Sequence, residues 1–262
     1  MVKSKKVRLN RQVLIAIDIG NSSLTYGVFK RSQHLDTGSV DLSHIPYRIN
    51  SLISKWRKYR NPIVIICSVV PHLTHKLLKL IAQRISPYKV YLVGRNLKVP
   101  IRSRYKRGLL GADRLVNVYG AIHKYGTPCL VIDFGTAITF DYVSKLGIFE
   151  GGLIVPGLET SWRALKERAA LLPKKLDMKP MQGFVGKNTS SGMRLGLFQG
   201  YGALSDGLVE RFRKASSRKL TVIATGGHSE VIRPFTKKID AFDPCHTIRS
   251  LALIYRNEIM EK

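Results

Sequence analysis

Residues 13–29, VLIAIDIGNSSLTYGVF, decide how this chain reads. Val13 to Ile17 form an unbroken apolar run that Asp18 ends. Gly20 and Asn21 then supply turn formers, and Leu24 to Phe29 return with residues that favour strands. The pattern predicts a β-hairpin with a carboxylate beside a tight turn. Residues 129–143, CLVIDFGTAITFDYV, repeat it 115 positions later, with Asp133, Gly135 and Thr136 at the turn. Ile138, Thr139 and Phe140 match Leu24, Thr25 and Tyr26 after a one-residue gap, so the chain reads as internally duplicated.

The remaining segments alternate helical and strand signals. A helix is expected around Ile45–Lys58, a strand over Ile63–Ser68, a helix from Pro71 to about Arg84 and a strand over Lys89–Val93. After the second hairpin come a strand near Phe149–Ile154, helices from Leu158 and Ser190, a strand over Thr221–Thr225 and a last helix from about Ile248. Arg104–Leu110 and Leu172–Asn188 read as loops. A mixed α/β order stated twice implies two layered domains, divided near residue 128.

Composition narrows the function classes. The 262 residues carry 44 Lys+Arg against 17 Asp+Glu, a formal charge of +27. No apolar run approaches the roughly 18 residues that span a bilayer. Lys3, Lys5, Lys6, Arg8 and Arg11 precede an apolar stretch that Asp18 cuts too short for a secretory signal, so a cytoplasmic protein without a membrane partner is expected. Cys67, Cys129 and Cys245 are far apart and lack C-x-x-C spacing, which argues against a disulfide framework or a zinc knuckle. His72 and His75 lie at i, i+3 with no third ligand nearby, and solvated histidines are the expectation.

The basic excess lies mainly in the first half, where residues 1–130 carry 24 basic and 4 acidic side chains. Such a field attracts nucleic acid, anionic membranes and phosphorylated metabolites alike. Few interleaved aromatics and no helix-turn-helix signature make nucleic acid a possible but unfavoured partner. Against this background the acids stand out. Between Leu42 and Ile132 the sole carboxylate is Asp113, and Asp18, Asp113 and Asp133 each sit in a glycine-containing motif.

The chemistry those motifs offer is phosphate binding. A carboxylate ending a buried strand can hold Mg²⁺ through water, and the glycine turn beside it exposes backbone N–H groups to phosphate. Asn21, Ser22, Ser23 and Thr136 add short donors. Ala224-Thr225-Gly226-Gly227 ends a third apolar strand with two glycines, letting the backbone approach a flat ligand such as a purine. Singly, each is an ordinary turn signal. Two copies followed by the Gly-Gly strand end point to a nucleotide.

Asp18-Ile-Gly-Asn-Ser-Ser, Gly111-Ala-Asp-Arg114, Asp133-Phe-Gly-Thr-Ala-Ile-Thr-Phe-Asp141, Gly151-Gly-Leu-Ile-Val-Pro-Gly157, Thr189 to Gly202 and Ala224-Thr-Gly-Gly227 together resemble type III pantothenate kinase. The resemblance runs over nearly the whole chain from about residue 13. It implies an α/β fold of two duplicated ribonuclease-H-like domains with mixed β-sheets flanked by helices, as in the acetate kinase, sugar kinase, heat-shock 70 and actin superfamily. The domains implied are 12–128, with the first phosphate hairpin, and 129–262, with the second hairpin and dimer-forming helices. The implied reaction moves the ATP γ-phosphoryl group to the primary hydroxyl of pantothenate.

Residue roles follow from the same resemblance. Asp18, Gly20, Asn21, Ser22, Ser23, Leu24 and Thr25 would hold ATP phosphates and Mg²⁺. Gly135, Thr136, Gly226 and Gly227 would contact ATP. Asp113 would accept the hydroxyl proton. Tyr105, Gly111, Ala112, Asp113 and Arg114 would bind pantothenate, with Arg114 facing its carboxylate. Asp133 would hold K⁺ or NH₄⁺, and Thr189 would reach pantothenate across a homodimer interface. The chemistry independently suits Asp113, because phosphoryl transfer asks the protein for alignment, charge neutralisation and one proton acceptor. Two departures stand out. Tyr105-Lys-Arg-Gly-Leu-Leu110 precedes Gly111 where the family carries Tyr-x-Asn-Pro and one residue more, and Pro244-Cys-His-Thr-Ile-Arg-Ser-Leu251 lacks a glycine the family has. The alternatives these leave open are a kinase of another small hydroxy acid, or a catalytically reduced regulatory or nucleic-acid-binding protein on the same fold.

Overall fold

The structure, a computed structural model, describes residues 12–31, 33–87, 89–106, 108–168, 178–216 and 219–260. The basic residues 3–11, Arg107 and residues 172–177 of the expected second loop lie outside the described residues. In chain order the strands are β1 (Val13–Ile19), β2 (Ser23–Lys30), β3 (Gln33–Asp41), β4 (Ile63–Ser68), β5 (Lys89–Leu92), β6 (Arg102–Ser103), β7 (Cys129–Phe134), β8 (Ala137–Val143), β9 (Ile148–Pro156), β10 (Thr221–Thr225) and β11 (Ala241–Phe242). The helices are α1 (Ile45–Trp56), α2 (Pro71–Arg84), α3 (Ala112–Tyr125), α4 (Leu158–Arg168), α5 (Thr189–Ala215), α6 (Ser229–Ile232) and α7 (His246–Tyr255). No helix among the described residues is long and apolar enough to cross a membrane.

The chain forms two compact units. One comprises Met1–Ile101, Lys106–Gly120 and His246–Lys262; the other comprises Arg102–Tyr105 and Ala121–Cys245. The first holds a five-stranded sheet in the order β3-β2-β1-β4-β5. Its β1–β2 and β2–β3 pairs are antiparallel, whereas β1–β4 and β4–β5 are parallel. Because β1 is central, both its faces are covered, which explains its continuous apolar run. Ile15, Ile17 and Ile19 pack in one cluster with Ile49, Ile53 and Trp56 of α1 and Leu77 and Ile81 of α2. Leu14 and Ala16 face the opposite way, into a cluster with Val116 and Tyr119 of α3 and Ile248, Leu251 and Ile254 of α7. Alternate residues of β4 divide likewise, Val64 and Ile66 to the first cluster and Ile63, Ile65 and Cys67 to the second.

The second unit holds a six-stranded sheet, β11-β10-β7-β8-β9-β6. Here β7 pairs antiparallel with β8 and parallel with β10, repeating the pattern around β1. Leu130, Ile132 and Phe134 of β7, Ile138 and Phe140 of β8, and Val222 and Ala224 of β10 share one face with Leu158 of α4 and Phe198 and Val209 of α5. The duplication extends to register. Asp18 lies opposite Thr25, and Asp133 lies opposite Thr139.

Candidate active site

In the first unit, strand parity places the carboxylates. Asp18 is four residues beyond Leu14 on β1, so its side chain takes the face covered by α3 and α7. Its neighbour in the parallel register is Cys67, whose thiol lies on that same face and is fully buried. Burial pushes the Cys67 thiol well up from its ordinary pKa, and the negative fields of Asp18 and Asp113 raise it further. The Asp18 carboxylate also hydrogen-bonds the Cys67 side chain. The neutral thiol therefore lies beside Asp18, and the field of Asp113, 95 positions later in the chain, reaches the same sulfur.

Asp113 stands in the first turn of α3, where a negative charge is favoured by the helix dipole. Its Oδ1 accepts the Arg114 backbone N–H at 2.8 Å. The carboxylate folds back over Gly111 so closely that a β-carbon there would collide with Oδ1. The Gly111 carbonyl meanwhile accepts the Leu115 N–H at 3.2 Å. This explains the glycine two residues before the acid. Arg114 is buried, at 8% exposure, and Ala112 is half-buried.

The β1–β2 turn closes with the Gly20 N–H donating to the Ser23 carbonyl at 3.0 Å. Asn21 and Ser22 are exposed, Ser23 and Thr25 half-buried. The Leu24 side chain is fully buried in the core, so whatever Leu24 offers at this turn comes from its backbone. The Thr25 hydroxyl shares a hydrogen bond with Ser39 at 3.1 Å.

In the second unit the equivalent turn has the Gly135 N–H donating to Ala137 O at 3.2 Å. Two further segments converge on it. The Thr136 carbonyl accepts the Gly157 N–H at 2.9 Å and the Thr160 hydroxyl at 2.6 Å, seating the start of α4 against the turn. A β-carbon on Gly157 would lie 2.6 Å from Thr136 O. Gly226, with φ of +91°, crosses the end of β7, and the His228 N–H donates to Phe134 O at 3.1 Å. A β-carbon on Gly226 would lie 2.7 Å from both N and C of Phe134 and would collide with Asp133 Oδ1. Gly227 has open space around its α-carbon. The second hairpin and the Gly-Gly strand end, which the sequence presents 90 residues apart, are thus one structure.

Asp133 lies beside Thr225 in the parallel register of β7 and β10, on the face away from the apolar cluster. The fully buried Thr225 hydroxyl has no hydrogen-bond partner in the structure. A buried acceptor oxygen next to a carboxylate suits a cation. No group of three or more His, Cys, Asp or Glu that could hold a metal occurs among the described residues. The donor set at Asp18 fits Mg²⁺ even so, because that ion is commonly held by one or two carboxylates, water and phosphate oxygens.

Tyr105 belongs to the second unit, its ring 5.9 Å from that of Phe149 and 3.9 Å from the position of a β-carbon on Gly151. Thr189 is the exposed first residue of α5, capped by Asn188, whose side chain accepts the Ser191 N–H at 2.9 Å. Sequence reading takes Cys67 as packing alone and assigns no role to Thr160 or His228. A burial pattern can signal the first, but the others depend on contacts across the fold. Burial pushes the pKa of His228 down, although Glu159 and the Phe134 backbone oppose this.

Two mixed α/β units, each carrying an Asp-x-Gly turn at the end of its central strand, define a duplicated ribonuclease-H-like protein. A family profile described as type III pantothenate kinase matches residues 14–211, and the chain belongs to that family. It is 32% identical to a type III pantothenate kinase of Listeria welshimeri, over 93% of this chain and 97% of that protein. It is 36% identical to one of Citrifermentans bemidjiense, over 93% of this chain and 99% of that protein. The fold is similar to the crystal structure of a conserved candidate Baf family transcriptional activator from Campylobacter jejuni. That match has a TM-score of 0.57 and 18% identity and covers 93% of this chain and 98% of that one.

Proposed function

We propose that this protein is a cytoplasmic, homodimeric kinase that transfers the ATP γ-phosphoryl group to the primary hydroxyl of pantothenate, giving 4′-phosphopantothenate for coenzyme A synthesis. Family membership supports the reaction. The observation that supports the mechanism is the pairing of Asp18 with the buried Cys67 in the strand register, with the field of Asp113 reaching the same thiol.

In this reading Asp113 accepts the proton of the attacking hydroxyl, and Arg114 with the Gly111–Ala112 backbone holds the pantothenate carboxylate. The turn from Gly20 through Thr25 offers N–H and hydroxyl donors to the β- and γ-phosphates. Asp18 holds Mg²⁺, which when bound neutralises charge on the phosphate oxygens. Gly135, Thr136, Gly226 and Gly227 give the nucleotide close backbone contact. Asp133, with the unpartnered Thr225 hydroxyl, holds K⁺ or NH₄⁺. Tyr105 and Thr189 complete the pantothenate pocket, Thr189 from a partner copy. The exposed Leu153, Ile154, Phe184 and Val185 support a partner copy, since apolar groups of this size favour burial.

Coupled ADP release tests the reading. Turnover should require pantothenate in preference to other small hydroxy acids, and Asp113→Asn should lower kcat by about 10²- to 10⁴-fold while ATP still binds. The +27 charge favours a second reading, a regulatory or nucleic-acid-binding protein. Absence of pantothenate-dependent turnover together with tight, salt-sensitive nucleic-acid binding would establish that reading instead.

A further inference from the structure

Within the first unit α1 and α2 cover the same face of the sheet, their buried sides meeting in the cluster around Ile53, Trp56 and Leu77. Their outer sides therefore look the same way. Arg84 of α2 donates to Asn50 Oδ1 of α1 at 3.0 Å, which sets the two helices side by side. Residues 42–87, which contain both, hold eight Lys and Arg and no Asp or Glu. Cations that look scattered along the sequence are thus gathered on one surface. It lies across the sheet from the Asp18 side chain, which takes the face covered by α3 and α7.

Local stability accounts for some of these charges. Lys55 pairs with Asp36 at 2.9 Å, and Lys55, Arg57 and Arg84 stand at helix C-termini, where the dipole favours a cation. The others have no such account. Arg48 is in the first turn of α1, where the dipole disfavours it, and neither helix has an acid in its first turn. Lys76 and Lys79 are three residues apart on α2, a like-charged spacing that weakens a helix. Arg48, Lys58, Lys76 and Lys79 are all exposed, and none forms an ion pair among the described residues.

A polyanion relieves this repulsion, and the classes of polyanion differ in what else they require. A helix that lies on a membrane adds large apolar groups, whereas Tyr47 is the one large hydrophobic side chain exposed on α1 and α2. A protein interface is centred on apolar side chains and is poor in lysine. Looped or single-stranded nucleic acid asks for stacking aromatics. Duplex DNA asks for cations and short polar donors spread along a surface, and the exposed Ser51, Ser54 and Gln83 supply the latter here. We infer that the outer surface of α1 and α2 binds the phosphate backbone of duplex DNA without regard to sequence. The row from Arg48 to Arg57 rises about 14 Å, which matches about four phosphates of one strand. The surface is independent of the phosphoryl-transfer reading.

Fluorescence anisotropy of the full chain with a labelled, mixed-sequence duplex of about 20 base pairs tests this. The quadruple variant Arg48→Gln, Lys58→Gln, Lys76→Gln, Lys79→Gln should bind at least about tenfold more weakly at about 0.1 M salt. Its slope of log affinity against log salt should be shallower by roughly 2–4. The control Lys145→Gln, Lys166→Gln, Lys214→Gln, Lys219→Gln removes the same charge from exposed positions of the second unit and should stay within about threefold of wild type. Both should keep the wild-type unfolding midpoint and whatever turnover of ATP the wild type shows, so a failed kinase reading leaves this comparison intact. Absence of duplex binding would overturn the inference, as would equal losses in the two variants, which is what general attraction to a +27 protein produces. So would tighter binding to a single strand or RNA hairpin of the same length, or binding to anionic vesicles that only the first variant loses while the duplex is ignored.

Discussion

Replacing Gly226 by alanine puts the second turn under direct test. The added methyl group meets the Phe134 backbone at 2.7 Å and collides with Asp133 Oδ1, in a residue whose φ is +91°. Left-handed backbone costs a non-glycine residue about 1–2 kcal/mol. Overpacking against main chain that belongs to a central strand adds about 1–3 kcal/mol. The sum, about 2–5 kcal/mol, corresponds to a fall in unfolding midpoint of roughly 4–20 °C for a unit of this size. If Asp133 holds the cation and this turn the nucleotide, as proposed above, KM for ATP and the response to K⁺ should change along with stability. Gly227→Ala provides the contrast, since nothing lies within 4 Å of the new methyl group. It should retain the wild-type midpoint and, if the strand end receives the nucleotide, raise KM for ATP alone. Scanning calorimetry and initial rates on both variants decide the matter. A Gly226→Ala protein with the wild-type midpoint and wild-type KM would refute the reasoning.

Three further outcomes are expected. Burial and the two neighbouring carboxylates raise the Cys67 thiol, and burial pushes Cys129 up to about 12, whereas Cys245 is only half-buried. Native protein at about pH 8 should therefore expose at most one fast thiol to Ellman's reagent, with all three reacting after denaturation. Lys124 Nζ donates to Asp243 Oδ2 at 2.8 Å, and the Asp243 side chain is only 2% exposed. Lys124→Met should cost about 1.5–3 kcal/mol in urea unfolding, and adding Asp243→Asn should recover part of the loss. Burial lowers the His228 pKa from 6.5, so below that value the unfolded chain takes up a proton the folded protein resists. Stability should thus fall from about pH 7.5 to about pH 5.5 more steeply in wild type than in His228→Asn, as urea midpoints would reveal.

Much of the fold was legible because its central strands bury both faces. Continuous apolar runs such as Ile63–Ser68 and Thr221–Thr225, and the proline that opens α2, mark their elements by composition alone. β3 escapes such reading. Its sequence QHLDTGSVD is polar, none of its residues is buried, and its strand character comes from pairing with β2 at the sheet edge. The short β6 and β11 likewise exist only through their neighbours, Ile148–Phe149 and Ile223–Ala224. At the candidate site the glycines and acids were visible as residue types. Local patterning cannot disclose that Cys67 lies beside Asp18 in the register and within the field of Asp113, or that Gly157 and Gly226 close on the same turn. Those are pairings between distant segments, fixed by sheet register and helix placement.

The position of α7 bears on how the polypeptide matures. Ile248, Leu251 and Ile254 complete a cluster begun by Leu14 and Ala16, so the first hairpin is synthesised long before the helix that covers one of its faces. During translation that face stays wet and open while the whole second unit emerges from the ribosome. The later portion of the chain can acquire its structure first, reversing the usual N-to-C order. Nascent copies stalled ahead of residue 246 would expose the Leu14–Ala16 face to chaperones and to one another.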